Sequence, residues 1–127
     1  MEKTIFYHDT DAGGVVYYAN YLKYMEEART VFFIQKGIAL EDLKDGQFFY
    51  AVRKCSVTYQ SPARYGDTII CETQLEKITA AQIFFKQNIY NKQDNRILVT
   101  ADVTLVCLTA DFKATTVSEE VKQKLSA

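Results

Sequence analysis

Residues Tyr7 to Arg29 read YHDTDAGGVVYYANYLKYMEEAR, and the fold turns on how that stretch divides. Asp9, Thr10 and Asp11 are residue types that bond their own backbone in turns, and Gly13-Gly14 adds backbone freedom, so a loop is expected first. Beyond Val15-Val16 the apolar residues fall at Tyr18, Tyr21, Leu22, Met25, Ala28 and Phe32, while Asn20, Lys23, Glu27 and Thr30 mark a polar side. Steps of three and four are helical. Gly37 suits the left-handed position that follows a last turn, which ends the helix at Lys36.

A carboxylate in a glycine loop just ahead of a helix has two readings. The first turn of a helix carries unpaired N–H groups and the positive end of the helix dipole. Such N–H groups can hold an oxyanion, and a nearby carboxylate can act as base or nucleophile on the carbonyl concerned, which makes acyl transfer the natural chemistry. The plainer reading is that the Asp only caps the helix. A calcium loop does not fit, because its third ligand position falls on Gly13 and its closing glutamate position on Asn20.

Working outward, Lys3 to His8 is strand-like, and Leu40 to Lys44 suits a short helical turn. From Phe48 the pattern alternates, with Arg53, Cys55, Val57 and Tyr59 on one face. Phe48 and Tyr50 sit out of phase with them, which predicts a bulge near Val52. Pro62 and Gly66 break the run; Ile69, Cys71, Thr73 and Leu75 then alternate with Ile70, Glu72, Gln74 and Glu76, a strand with one wet face. Lys77 to Ala80 is a turn, Ile83, Phe85 and Ile89 mark the next strand, Asn91 to Arg96 is a polar turn, and Ile97 to Leu108 is a longer strand. Near the end, Thr116 and Glu119 fit a capping box, and Val117, Val121 and Leu125 form the stripe of a surface helix or one set against a partner.

Strand, long buried helix and four strands make an α+β protein: one curved antiparallel sheet wrapped around one helix. The 127 residues, 48% hydrophobic with one proline, suit a single domain over 1–127. Fifteen basic against sixteen acidic residues leave no electrostatic footprint for nucleic acid. Charge comes too early for a secretory signal and no run of about 18 apolar residues occurs, so a cytoplasmic protein without stable membrane insertion is expected. Cys55, Cys71 and Cys107 are widely spaced in strand-like segments, which suits buried reduced thiols rather than disulfides, a zinc site or a catalytic cysteine. The one histidine, His8, has no G-x-S-x-G elbow to serve and reads as a solvent-facing or satisfied strand residue. Glu26 and Arg29, three apart, read as a structural ion pair. Tyr17, Tyr21, Tyr24, Phe32 and Phe33 make the helix apolar around much of its girth, which points to further burial against a second copy.

The string DTDAGGVVYYANYLKYMEEART, followed at Ser61 to Asp67 by SPARYGD, resembles the signature of the 4-hydroxybenzoyl-CoA thioesterase family, in its YbgC-like acyl-CoA thioesterase branch. The resemblance covers nearly the whole chain. It implies a hot-dog fold, hydrolysis of an acyl-CoA without cofactor or metal, and a homodimer often paired into a tetramer, with the acyl thioester threaded between subunits. Acyl carrier protein is a further candidate partner. The catalytic carboxylate falls on Asp11, and the N–H that polarises the carbonyl on Tyr18, at the start of the helix. Many members of the branch have histidine where this chain has Tyr18, which removes any imidazole role there. Gly13, Gly14, Val16 and Tyr17 are expected to line the substrate's path, and Arg53, Lys54 and Arg64, which flank the second patch, to meet the CoA phosphates. Short aliphatic acyl groups fit the branch, with an aromatic acyl-CoA (hydroxybenzoyl or dihydroxynaphthoyl) as the alternative. A non-catalytic acyl-thioester binding module is opposed by the carboxylate at Asp11. A 3-hydroxyacyl dehydratase is opposed by the lack of a histidine near the helix.

Overall fold

The alternating segments form one five-stranded antiparallel sheet in the computed structural model, which describes residues 1–43 and 48–127. The strands are β1 (Glu2–Thr4), β2 (Phe48–Tyr59), β3 (Thr68–Ile78), β4 (Gln82–Asn91) and β5 (Ile97–Thr109), in the spatial order β1-β3-β4-β5-β2. Short turns make β3, β4 and β5 a meander, since strands joined by a few residues pair with their neighbours. The second turn is built as its polar sequence predicts: Asn91 Oδ1 accepts from the Gln93 N–H and Asp94 Oδ1 from the Arg96 N–H, each at 2.9 Å. The connection carrying the long helix α1 (Asn20–Gln35) spans the sheet and leaves β1 and β2 on opposite edges.

Burial along α1 falls on Tyr21, Tyr24, Met25, Ala28, Arg29 and Phe33, a single stripe at helical spacing. The expected stripe is corrected in part: Leu22 is 44% exposed, and Tyr24 and Phe33 are buried instead. Facing them, alternate residues of the sheet turn inward, namely Ile69 and Cys71 on β3, Ile83, Phe85 and Ile89 on β4, and Val99, Ala101, Val103 and Leu105 on β5. Phe85 is the centre of this contact, its ring 5.6 Å from Phe32 and 5.8 Å from Phe33, both edge-on. A helix clasped by a curled sheet is the hot-dog arrangement. Because Tyr21, Tyr24 and Phe33 are covered by their own chain, they supply no argument for a second copy; Tyr17 and Tyr18, ahead of the helix, are exposed.

Other expectations are met or adjusted locally. The β2 register shifts between Val52 and Lys54, so the predicted bulge is real and Arg53 is its extra residue. The first strand ends at Thr4, and His8 belongs to a 3₁₀ turn, Tyr7–Asp9, rather than to a strand. The short turn forms as α2 (Leu40–Leu43); Lys44 lies outside the described residues. The last helix, α3 (Glu119–Ser126), is capped by Ser118, whose Oγ accepts from the Val121 N–H at 3.2 Å, not by Thr116. It lies on its own chain: Val117 and Leu125 are buried, and Lys124 Nζ donates to the Gly37 carbonyl. All three cysteines are free, and burial pushes the Cys71 thiol up to about 12. Cys55, expected to be buried, is exposed, because it lies on an edge strand.

One correction concerns polar groups in the core. Arg29 makes no ion pair with Glu26; its Nη1 donates to Gln87 Oε1 at 3.0 Å, while Glu26 accepts from the Thr30 hydroxyl. Gln87 is fully buried and its Nε2 donates to the Met25 carbonyl and to Thr73 Oγ1, both at 2.9 Å. Replacing Phe85 by Ala should cost about 3–5 kcal/mol of stability by urea unfolding, since it empties the contact between helix and sheet.

Candidate active site

The loop between the 3₁₀ turn and α1 is a small β-hairpin. The Tyr17 N–H donates to the Asp9 carbonyl and the Asp11 N–H to the Val15 carbonyl, both at 3.0 Å, and Thr10 pairs with Val16. The hairpin docks on the segment after β2: the Val16 N–H donates to the Ala63 carbonyl at 2.8 Å and Val15 bridges Arg64. The two sequence patches are therefore neighbours in space. The second is held by Asp67, whose Oδ2 accepts from the Arg64 N–H, and by Gly66 at φ +89°.

Asp11 stands exposed at the hairpin turn, with Oδ1 accepting from the Gly13 N–H at 2.8 Å. The cap of α1 is Ala19, far along the chain from Asp11, so Asp11 caps its own turn and not the helix. A Cβ at residue 13 would lie 3.1 Å from Asp11 Oδ1, which is why glycine stands there; Gly14 is required for a different reason, its φ of +77°. Asp11 borders an open hollow of about 510 Å³ with Tyr7, Thr10, Ala12, Gly14 and Tyr65.

Tyr18 lies just outside α1 instead of within its first turn. The Asn20 N–H donates to the Tyr17 carbonyl and the Leu22 N–H to that of Ala19, but the Tyr18 N–H has no acceptor among the described residues. Its own carbonyl accepts from Tyr59 Oη at 3.3 Å. Tyr18, Tyr21 and Tyr59 line a second hollow of about 260 Å³ with Val16, Gln60, Ser61 and Pro62. Their rings touch in sequence: Tyr17 to Tyr18 at 5.1 Å, Tyr18 to Tyr59 at 6.1 Å, Tyr59 to Tyr21 at 5.8 Å. Asp11 and Tyr18 thus share one hairpin and open on different hollows.

Asp11, Gly13, Gly14, Val16, Tyr17 and Tyr18 lie on one hairpin with Arg64 bridged to it, and Val16, though buried, lines the second hollow. Arg53 and Lys54 are not with them. Both are exposed on β2, five or six residues from Tyr59, or about 16–20 Å along a strand. His8 stands 3.8 Å from Asp9 and serves no nucleophile. Tyr59 and Tyr21 escaped the sequence reading: Tyr59 is an ordinary member of an alternating strand, and nothing local says that it reaches a backbone carbonyl 41 residues away.

Residues 7–125 match the model of the thioesterase-like superfamily. The chain belongs to that family. Over 104 residues it is 36% identical to the acyl-CoA thioester hydrolase YbgC of Escherichia coli O6:H1, covering 82% of this chain and 77% of that protein. The acyl-CoA thioesterase YbgC of Haemophilus influenzae is 31% identical over 105 residues, 82% of this chain and 76% of that one. Among solved structures, Slr0204, a 1,4-dihydroxy-2-naphthoyl-CoA thioesterase from Synechocystis, superposes with a TM-score of 0.91 over 99% of this chain and 93% of its own, at 20% identity. That likeness is one of fold. The chain is an enzyme of the thioesterase class.

Asp9, beneath the hairpin, has an acidity set by opposing effects. Burial disfavours its ion, but the Phe6 N–H, the Tyr24 hydroxyl and the charges of Lys3 and His8 outweigh that and hold its carboxyl below the usual value. A carboxyl depressed on folding contributes stability that is fully present above its unfolded pKa, about 3.9, and lost as pH falls through its folded value. Melting temperatures followed from pH 6 to about pH 2 should therefore fall less steeply below pH 4 in Asp9→Asn than in the wild type.

Proposed function

We propose that this protein hydrolyses acyl-CoA thioesters, with Asp11 as the reactive carboxylate and the Tyr18 N–H as the donor to the thioester oxygen. The observation that carries the reading is one rigid hairpin presenting an exposed carboxylate and an unused backbone N–H, in a chain related to acyl-CoA thioester hydrolases. Asp11 takes a proton from water, the hydroxide adds to the carbonyl, and the oxyanion rests on the Tyr18 N–H. The intermediate then expels the CoA thiolate, which leaves with the proton. Attack by Asp11 itself, followed by hydrolysis of the mixed anhydride, uses the same two groups. One such N–H is worth about 3 kcal/mol in comparable sites. The peptide that carries it is steadied by the bond from the Asn20 N–H to the Tyr17 carbonyl, and Tyr59 holds the next peptide through the Tyr18 carbonyl.

Short aliphatic acyl groups are the preferred substrates, as in the YbgC-like branch. A second reading, an aromatic acyl group, is favoured by the tyrosine-lined hollow of Tyr18, Tyr21 and Tyr59. Arg64, beside the hairpin, is the residue to meet the CoA phosphates. Arg53 and Lys54 reach them only on a neighbouring subunit. The working unit is a homodimer, because β2 pairs with β5 on one side and has no partner strand on the other among the described residues. A twelve-residue open edge with Val52, Cys55 and Tyr59 exposed invites a second copy.

Two measurements test this. Thiol release from short, long and aromatic acyl-CoAs should fall by about 10²–10⁴-fold in Asp11→Asn with folding intact; a mutant with wild-type rates defeats the mechanism, and a wild type inert on every thioester points to a binding module. In concentrated protein Cys55 should resist a thiol reagent and become reactive on dilution; equal reactivity at all concentrations refutes pairing through β2.

A further inference from the structure

Asp9 is bonded through its N–H, its carbonyl and one carboxylate oxygen. Its N–H donates to the Phe6 carbonyl at 3.0 Å, and its Oδ2 accepts from the Phe6 N–H at 2.8 Å, so the 3₁₀ turn is closed in both directions. Its carbonyl accepts twice, from the Tyr17 N–H at 3.0 Å and from Asn20 Nδ2 at 2.9 Å. The first of those bonds is the base rung of the hairpin; the second ties the first residue of α1 to the same oxygen. Asp9 is 6% exposed, and beneath it the Tyr24 hydroxyl is buried without a hydrogen-bond partner among the described residues. Burial and the Asp9 carboxylate together push the pKa of that hydroxyl up.

The position of this knot matters. Asp11 lies two residues beyond Asp9 on one arm of the hairpin, and Tyr18 follows Tyr17 on the other. The separation between the Asp11 carboxylate and the Tyr18 N–H is therefore set across the Asp9–Tyr17 rung, with Asn20 stopping the second arm from turning about it. The N–H groups at 17 and 20 are both committed, one to Asp9 and one to the Tyr17 carbonyl, while that of Tyr18 has no acceptor among the described residues.

We propose that Asp9, together with Asn20, is the positioning residue of this active site, holding the Asp11 carboxylate and the Tyr18 N–H in the register that hydrolysis requires. The proposal rests on the hydrolytic reading above and adds residues that touch no substrate. Asp9 acts through its shape and its carbonyl, so Asp9→Asn, which can still accept from Phe6, keeps most of the activity. Asp9→Ala loses the lock to the 3₁₀ turn, and Asn20→Ala loses the second bond to the carbonyl while leaving the buried core untouched. A misplacement of about 1 Å in such a site is enough to cost up to about 100-fold.

The test combines steady-state kinetics with amide hydrogen exchange on the intact protein. Asp9→Ala and Asn20→Ala should lower kcat by about ten-fold or more with KM within about three-fold, because ground-state binding is not what they disturb. The Tyr17 amide should exchange at least about ten-fold faster in both, and Asp9→Asn should restore both readouts. If Asp9→Ala does not fold, Asn20→Ala decides alone. Unchanged kcat with faster exchange overturns the proposal, as does unchanged exchange. Should the wild type hydrolyse no thioester, the hydrolytic reading fails by itself; exchange at Tyr17 still decides whether Asp9 and Asn20 lock the hairpin, acceleration supporting the lock and no change refuting it.

Discussion

A sixteen-residue helix that turns Tyr21, Tyr24, Met25, Ala28, Arg29 and Phe33 to one side must be covered along its whole length. Apolar area left in water costs about 25 cal/mol per Å², so aromatic side chains of this size cannot stay open without a large loss. A flat sheet meets a helix along too narrow a strip. A twisted sheet of long strands curls around it, and β2, β4 and β5, at ten to thirteen residues, are long enough to do so. The bulges in β2 and β3 are where the strands bend. Phe85 marks the line of closest contact, with two helix rings against it.

Within that apolar contact sits a polar chain, Arg29 to Gln87 to the Met25 carbonyl and Thr73. A guanidinium taken out of water without a carboxylate is costly, and burial lowers the pKa of Arg29. Gln87 is what makes the arrangement tolerable: its oxygen takes the charge and its nitrogen returns two bonds to the helix and to β3. Such a chain has one satisfied geometry. It fixes how far α1 can slide along the sheet, which greasy contacts alone leave loose.

Fixing α1 fixes where its N-terminal end emerges, and the hairpin of residues 9–18 hangs from that end through Asn20. The opposite side of the hairpin is pinned to Ala63 and Arg64. At the hairpin itself Asp11 is held by the Gly13 N–H, and the Tyr18 N–H is left without an acceptor among the described residues. The rings of Tyr18, Tyr21 and Tyr59 line the hollow beside that N–H.

Much of this was legible in the order of residues. The helix, the strand segments, the polar turn at 91–96 and the bulge near Val52 follow from periodicity and turn chemistry, which act over a few residues and are written in them. The loop ahead of the helix was legible too, because acid and glycine pair are local, and the family because their order resembles a known one. What sequence reading misplaced shares one cause. The partner of Arg29 is Gln87 rather than Glu26, Cys55 is exposed and Tyr59 reaches Tyr18, because contacts between distant segments depend on which strand lands at which edge; the Ser118 cap of α3 is the exception, a bond three residues long. The sequence by itself determined the elements and the chemical kind of the loop; the packing of helix on sheet decided the strand order, the buried polar partners and the register of the site, since those come from long-range burial that no local pattern encodes.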